Sequence, residues 1–365
     1  MKQQHNKVGF LVHSRSLKDF TRKFPFLSAV PKSVLLFLTR IAPPIIVSRI
    51  TGLMSKENKA IEGYIIGIPL TARQMMENRA LALEKIKQAV RLAEKKEIGI
   101  LGLGALTASL SRGGKDVSGL TKVGITTGRA FTVKTVTGYA LEALRMFKMQ
   151  PQDVRIAIVG AAGAIGSGSA KILAKNGVRH FLFIDLERKA LHLKKHIEEM
   201  KGIHGPLHIE ISHQIRDIKG SDIIIAATNA PEVLITSDDL NPGTIVINDA
   251  QPSDISPEVL DRDDVLVIEG GVIKAPGISC NFNMGLAERN DTFCCLGEAL
   301  ILAHNGMFED FALGELDVPL VDRISELSKT MDISLSHIQN EKGLIAASHI
   351  ERIQEIIASK KLGNT

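Results

Sequence analysis

Two adjacent cysteines stand at the head of an apolar run, in Asp291-Thr292-Phe293-Cys294-Cys295-Leu296-Gly297-Glu298. With Asp291 as N-cap, both thiols fall in the first turn of a helix, where the helix dipole favours thiolate over thiol. A thiolate in that setting is a nucleophile for a carbonyl carbon. Successive helical positions point ~100° apart, so only one of the two sulfurs faces a given site. A small buried hydrophobe is the competing reading of either residue.

A second constellation is Gly160-Ala161-Ala162-Gly163-Ala164-Ile165-Gly166, directly after the apolar run that follows Arg155 and directly before a helical segment starting at Ala164. Strand, glycine turn and helix are what phosphate binding asks for: Gly160, Gly163 and Gly166 let the backbone turn and approach closely, and a pyrophosphate then sits over Ala162, Ala164 and Ile165 at the helix N-terminus. A turn kept only for packing is the bland alternative. Asp185 closes the next strand, where a carboxylate accepts ribose hydroxyls and repels a 2′-phosphate, favouring NADH. Arg188 and Lys189 follow, and would grip such a phosphate if the loop turns back. Ala227, Thr228 and Asn229 end the fourth strand and are expected beside the ribose and nicotinamide, because ligands line the carboxyl ends of parallel strands. Gly270 and Gly271 follow the sixth strand and either admit the nicotinamide or simply turn the chain. The expected ligand is a nicotinamide dinucleotide, NADH or NADPH.

Those residues need elements to hold them. Val8 to Val12 and Ile61 to Gly67 read as short strands, and Leu70 to Lys96 as one amphipathic helix. Ile125 to Met149 opens on Thr126-Thr127-Gly128, with either threonine as a cap, and continues as a helix burying Val133, Val136, Ala140, Leu144 and Phe147. From Val154, six apolar runs alternate with helices or turns. Continuous rather than alternating apolarity marks parallel strands covered on both faces. The fold class is therefore α/β: a Rossmann-type, doubly wound parallel sheet flanked by an α/β N-terminal domain and C-terminal helices. The domains are expected at 1–149 for substrate, 150–290 for the dinucleotide, and 291–365 as a helical segment carrying the cysteine.

Composition bounds the rest. The 365 residues, 44% hydrophobic, support well-developed cores. Three cysteines make no disulfide framework, which predicts a reducing, cytoplasmic setting, and Met1 to Phe10 lacks a leader's apolar stretch. No metal-ligating constellation stands out, and no nucleic-acid partner is expected. Residues 1–60 hold 11 Lys plus Arg against Asp19 and Glu57, on a chain of net charge +5. A basic end suits an acidic partner or an anionic surface, or is a solvated face without a partner. Val34 to Val47 is too short to span a bilayer. Packing against the body is its expected fate, with peripheral membrane contact as the alternative.

The chain resembles the long-chain acyl-(acyl-carrier-protein) reductases of cyanobacteria, which form fatty aldehydes. The similarity runs roughly from Val8 to Ile338. It is carried by Ala42-Pro43-Pro44, Thr126-Thr127-Gly128, the Gly160 to Gly166 turn, Glu269-Gly270-Gly271-Val272 and Ala287-Glu288-Arg289 leading into Cys295-Leu296-Gly297-Glu298. In that family a Cys-x-x-Glu cysteine is acylated by substrate, so the resemblance implies that role for Cys295. It further implies an acyl carrier protein or acyl-CoA as donor, a fatty aldehyde as product, and Thr127, Gly128 and Lys134 near the substrate. After the Thr-Thr-Gly motif the family has Asn and a nearby His, where this chain has Arg129, Ala130, Phe131 and then Lys134. The family also looks NADPH-dependent, with Arg where Leu186 stands here. The rival reading is an amino-acid or hydroxy-acid dehydrogenase in which Lys134 or a similar group handles a carboxylate and no covalent intermediate forms. A redox-sensing or scaffold protein that binds the dinucleotide as a signal is a third.

Overall fold

The strand sequences, nearly all apolar, build two sheets. The structure, a computed structural model, describes residues 6–14, 16–204, 206–230, 232–281 and 284–363. The first five residues of the stretch read for a leader lie outside these.

The first sheet contains β1 (Lys7–Ser14), β2 (Ile45–Ile50), β3 (Gly63–Thr71), β4 (Ile98–Leu103) and β5 (Gly124–Thr126). Its order is β2-β3-β1-β4-β5, parallel except for the antiparallel edge strand β2. Between these strands lie α1 (Leu17–Lys23), α2 (Lys32–Ile41), α3 (Ala72–Glu77), α4 (Arg79–Lys95) and α5 (Leu106–Leu110). The single helix expected over Leu70–Lys96 is therefore two. Asn78 ends α3 and caps α4, its side chain accepting from Leu81 N at 3.0 Å. That local bond competes with helix continuation.

Helix α6 (Arg129–Met146) leads to the second sheet, and all five residues of its expected stripe are buried. That sheet comprises β6 (Arg155–Val159), β7 (His180–Ile184), β8 (His208–Ser212), β9 (Ile223–Ala226), β10 (Ile245–Asn248) and β11 (Leu266–Glu269), with α7 (Ala164–Lys175) and α8 (Ala190–His204) as crossovers. Its order is β11-β10-β9-β6-β7-β8, all parallel, with the switch point between β6 and β9. This is the doubly wound α/β arrangement, and it puts the ligand crevice at the carboxyl ends of β6 and β9. Its two faces are covered differently. Ile156, Phe181, Ile223 and Ile245 pack against helices, whereas Ala157, Leu182, Ile224 and Val246 meet residues of short 3₁₀ turns, among them Ile218 and Val259.

After β12 (Val272–Lys274), β13 (Asp291–Phe293) and α9 (Cys294–His304) come α10 (Val318–Ser328), β14 (Ser334–Leu335) and α11 (Ala347–Gly363). The C-terminal helices do not form a layer of their own. Helix α9 joins the first sheet: Val8, Phe10, Ile65 and Ile100 share a core with Leu296, Ala299 and Leu300. The opposite faces of the same strands, through Leu11, Ile66 and Leu101, meet Ile86, Ala89 and Val90 of α4. This is the strand periodicity of two covering a sheet twice. Helix α11 instead places Ile353 and Ile357 in the core of the second sheet. No helix among the described residues is long and apolar enough to cross a membrane.

The Val34–Val47 segment packs against the body only in part: Leu35 is buried and Ile46 and Val47 pack against the cores of the first sheet. In α2 only Leu35 and Thr39 are buried, while Val34, Phe37, Leu38 and Ile41 face solvent.

Candidate active site

The dinucleotide turn has the backbone its sequence asks for. Gly160 adopts φ +89°, and a side chain there would strike the Ala227 carbonyl oxygen, 2.6 Å from an added Cβ. A Cβ on Gly166 would meet Gly160 oxygen and, at 2.8 Å, Ala161 Cα, so this glycine lets α7 rise directly from the turn. Gly163 is the N-cap of α7 and supplies no side-chain bond, which leaves the first-turn N–H groups to an anion. Asp185 fixes this turn: its carboxylate accepts from Ala162 N at 2.9 Å and Leu186 N at 2.8 Å, with Lys189 Nζ at 3.4 Å. A carboxylate has about four acceptor positions, so lone pairs remain for a ribose.

One cavity of about 1130 Å³ runs from this turn across to the first sheet. Of the residues expected at the dinucleotide, it exposes Gly163, Ala164, Ile165, Ala227, Thr228, Asn229 and Gly271. Thr228 Oγ1 donates to Asp254 at 2.7 Å, and Asn229 Nδ2 donates to Ser109 Oγ of α5 at 3.2 Å, joining the two halves over the cavity. Gly160, Ala162, Gly166 and Asp185 stand behind the wall and shape it. Gly270 does not reach it: an added Cβ would lie 2.6 Å from Ile247, so its part is packing.

Both cysteines line the same cavity, Cys295 more exposed than Cys294. The helix cap is Phe293, not Asp291, which belongs to β13, and the sulfurs still fall in the first turn of α9. Cys294 is engaged: its sulfur lies 3.1 Å from Thr132 Oγ1, and its N–H donates to Gly271 O at 2.8 Å. Cys295 packs on Gly128, where φ is +75° and any Cβ would collide with Cys295 Cα and Cβ. The expected thiolate is not favoured. Burial, followed by the charge of Asp249, pushes the Cys295 thiol up to about 12 and Cys294 well above its ordinary range. Desolvation outweighs the helix dipole here.

Three groups went unassigned in the sequence. Asp249, just past β10, opens into the cavity, and burial beside Glu269 pushes its carboxyl up to about 8. An added Cβ on Gly271 would lie 2.7 Å from Asp249 Oδ1 and 3.7 Å from Cys294 Sγ, which sets the carboxyl and the Cys294 thiol around one point. Glu298, one turn beyond Cys295, points its carboxylate at the N-terminus of α6. It accepts from Gly128 N at 3.0 Å, Phe131 N at 2.7 Å and the Thr126 hydroxyl, and burial pushes its pKa up to about 7. So neither Thr126 nor Thr127 caps α6; Thr127 Oγ1 donates to Ala312 O at 2.7 Å. Arg129 contributes a cation to the cavity wall, its Nη1 donating to Gly314 O at 2.6 Å. Lys134, by contrast, does not line the cavity. Its ammonium lies 5.7 Å from the Phe131 ring centroid, and the carboxylate-holding role is not available to it. Thr127 does line the cavity, and Gly128 stands behind Cys295.

The doubly wound sheet and its glycine turn define a Rossmann-type dinucleotide-binding unit. Residues 142–269 match the family model of shikimate/quinate 5-dehydrogenase. Among curated proteins, the aminotransferase PigE of Serratia sp. is 27% identical over 287 residues, covering 73% of this chain. The chain spans 32% of that protein's length. The long-chain acyl-[acyl-carrier-protein] reductase of Synechococcus elongatus is 24% identical over 339 residues, covering 88% of this chain and 95% of the reductase. Among solved structures, a putative malic enzyme (malate oxidoreductase) superposes with a TM-score of 0.44 at 14% identity, over 97% of this chain and 85% of that one. The dehydrogenase match and the turn geometry support a nicotinamide-dependent oxidoreductase of the Rossmann type, with a divergent relationship to the acyl-carrier-protein reductase.

Proposed function

We propose that this protein reduces a long-chain acyl thioester, presented by acyl carrier protein or coenzyme A, to an aldehyde with NADH, through an acyl group held on Cys295. The observation that carries the reading is the cavity itself. Cys295 lines one cavity together with the dinucleotide turn at Gly163–Ile165 and with apolar residues of the first sheet and its helices, Phe10, Val12, Phe24, Ile65, Ile68 and Met76. The likeness to the Synechococcus reductase along most of both chains agrees with it.

Gly163, Ala164, Ile165, Thr228 and Asn229 would hold the dinucleotide; Asp185, behind the turn that it fixes through Ala162 N and Leu186 N, is the ground for NADH over NADPH by its place just past β7. Asp249 takes the Cys295 proton as the sulfur bonds the acyl carbon, and passes it to the departing thiol of the carrier. A nicotinamide held there would supply the hydride for the acyl carbon on Cys295, giving a thiohemiacetal on that sulfur. After taking up one proton from solvent, Asp249 protonates the resulting oxygen, recovers the proton as the carbon–sulfur bond breaks, and returns it to the Cys295 sulfur. The aldehyde leaves, and the thiol is restored after one hydride and one proton have been consumed.

The test is intact-protein mass spectrometry after incubation with hexadecanoyl-carrier protein or hexadecanoyl-CoA and no cofactor. A mass increase of one acyl group is expected in wild type and in Cys294→Ala but not in Cys295→Ala. Addition of NADH should discharge it faster than NADPH. An activity loss limited to a few-fold in Cys295→Ala would exclude the covalent route and favour a dehydrogenase without an intermediate.

A further inference from the structure

Helix α2 is built inside out. Its apolar residues Val34, Phe37, Leu38 and Ile41 recur at i, i+3, i+4 and i+7, the spacing that ordinarily faces a core. Here that stripe faces solvent, with Phe37 61% and Ile41 60% exposed. The inward side is held by polar bonds instead. Thr39 Oγ1 meets the Gln74 side chain at 3.2 Å, Gln74 Nε2 donates to Leu36 O at 2.9 Å, and buried Lys85 donates to Ala42 O at 2.7 Å. The ammonium at the helix C-terminus also suits the dipole. These bonds fix the helix and its outward orientation, so the exposed stripe does not come from loose packing.

Beyond the stripe, Phe26 is 72% exposed, and Ile45 at the start of the edge strand β2, four residues past Ile41, is exposed as well. Phe24 stands against Phe26, ring centroids 6.1 Å apart, and Phe20, Phe24 and Ile45 also line the cavity. The patch is thus continuous with the cavity mouth. Its charge has one sign: from Phe20 to Lys56 the chain has no Asp or Glu, and carries Arg22, Lys23, Lys32, Arg40, Arg49 and Lys56. Lys32, Arg40 and Arg49 are exposed.

We infer that this face docks on an anionic lipid surface, with α2 lying in the plane of the headgroups and its stripe dipping into the acyl boundary. Bulky apolar side chains rimmed by Lys and Arg are what such an interface takes. Ten residues cannot span a bilayer, but they suffice to lie in it. A second copy would bring like charges together, and a folded acidic protein would answer the charge without burying the stripe. Docking stands on the surface alone. Direct passage of an aldehyde from the cavity into lipid would follow from it, and rests on the reductase reading.

The test is vesicle co-sedimentation of the whole protein. Partitioning should be strong with phosphatidylcholine vesicles containing about one third phosphatidylglycerol, weak with phosphatidylcholine alone, and reduced by raised salt. Phe37→Asn with Ile41→Asn should lower partitioning by about tenfold or more while melting temperature and NADH binding stay unchanged. Lys32→Glu with Arg40→Glu should abolish the preference for anionic vesicles. Protein that stays in the supernatant with anionic vesicles, or double variants that partition like wild type, would overturn the inference. So would a wild-type dimer that the Phe37/Ile41 variant converts to monomer without any vesicle binding. Loss of acyl-carrier-protein binding in that variant, with vesicle binding intact, would reassign the face to the carrier. The reductase reading is checked separately, since the acyl adduct on Cys295 forms in solution whether or not the protein docks.

Discussion

At the scale of single residues, the cavity pairs two acids that both resist ionisation. Cys295 is pushed up to about 12 and Asp249 to about 8, each chiefly because water is withheld from its charged form. The carboxyl is the easier to ionise, so acylation should climb with pH and level off near 8, not keep rising as a lone thiol would make it. In Asp249→Asn the climb should vanish and the acylation rate at pH 8 drop by roughly 10²–10⁴-fold, measured by single-turnover adduct formation. The same group affects stability in the opposite sense. Its folded-state pKa lies above its ordinary value of 3.8, so its contribution is complete below that pH and is lost as pH rises through about 8. Asp249→Asn should accordingly melt higher than wild type at pH 9, by about 1–3 kcal/mol, a discounted figure because the carboxyl opens to the cavity. The thiols and the glycine turn were legible because their chemistry is local. Asp249 was not, because its neighbours Glu269, Gly271 and the cysteines arrive from other strands and from α9.

At the scale of elements, the decisive bond is a cap supplied from a distance. Gly128, in a left-handed conformation, starts α6 without a side chain of its own, and Glu298 of α9 takes the orphan N–H groups instead. Cys295 and the Gly128 turn are thereby held against each other. Glu298→Gln substitutes a donor for one of the two oxygens facing those N–H groups. It should cost about 1–2 kcal/mol in denaturant unfolding and should speed alkylation of Cys295 by a small thiol reagent as the turn loosens. Unchanged unfolding and unchanged thiol reactivity would remove this account. The stripe of α6 could be read from apolar spacing, but its cap could not: Thr126 and Thr127 are the nearest candidates in sequence, and both hydroxyls bond elsewhere. The break at Asn78 was missed because a helical apolar pattern continues through it, and a single side-chain bond to Leu81 N ends one helix and starts the next.

At the scale of the molecule, the two sheets share one cavity, lined by the glycine turn of the second sheet and by apolar residues of the first. Filling its apolar part should truncate the accepted chain. Val12→Phe is expected to lower kcat/KM for a hexadecanoyl thioester by about tenfold or more and to leave a butanoyl thioester within about twofold. Parallel effects on both would place the acyl chain elsewhere. The second sheet was readable because its six runs follow one another. The first was not fully readable, since one of its covering helices comes from the far end of the chain. That return of α9 across β1 and β4 has a practical consequence. A fragment ending after β11 would contain every strand of the nucleotide fold but would lack α11, whose Ile353 and Ile357 complete that sheet's core. Its other half, synthesised first, would remain uncovered along one flank, sticky and without its sulfur, until the last quarter of the polypeptide arrived to close it.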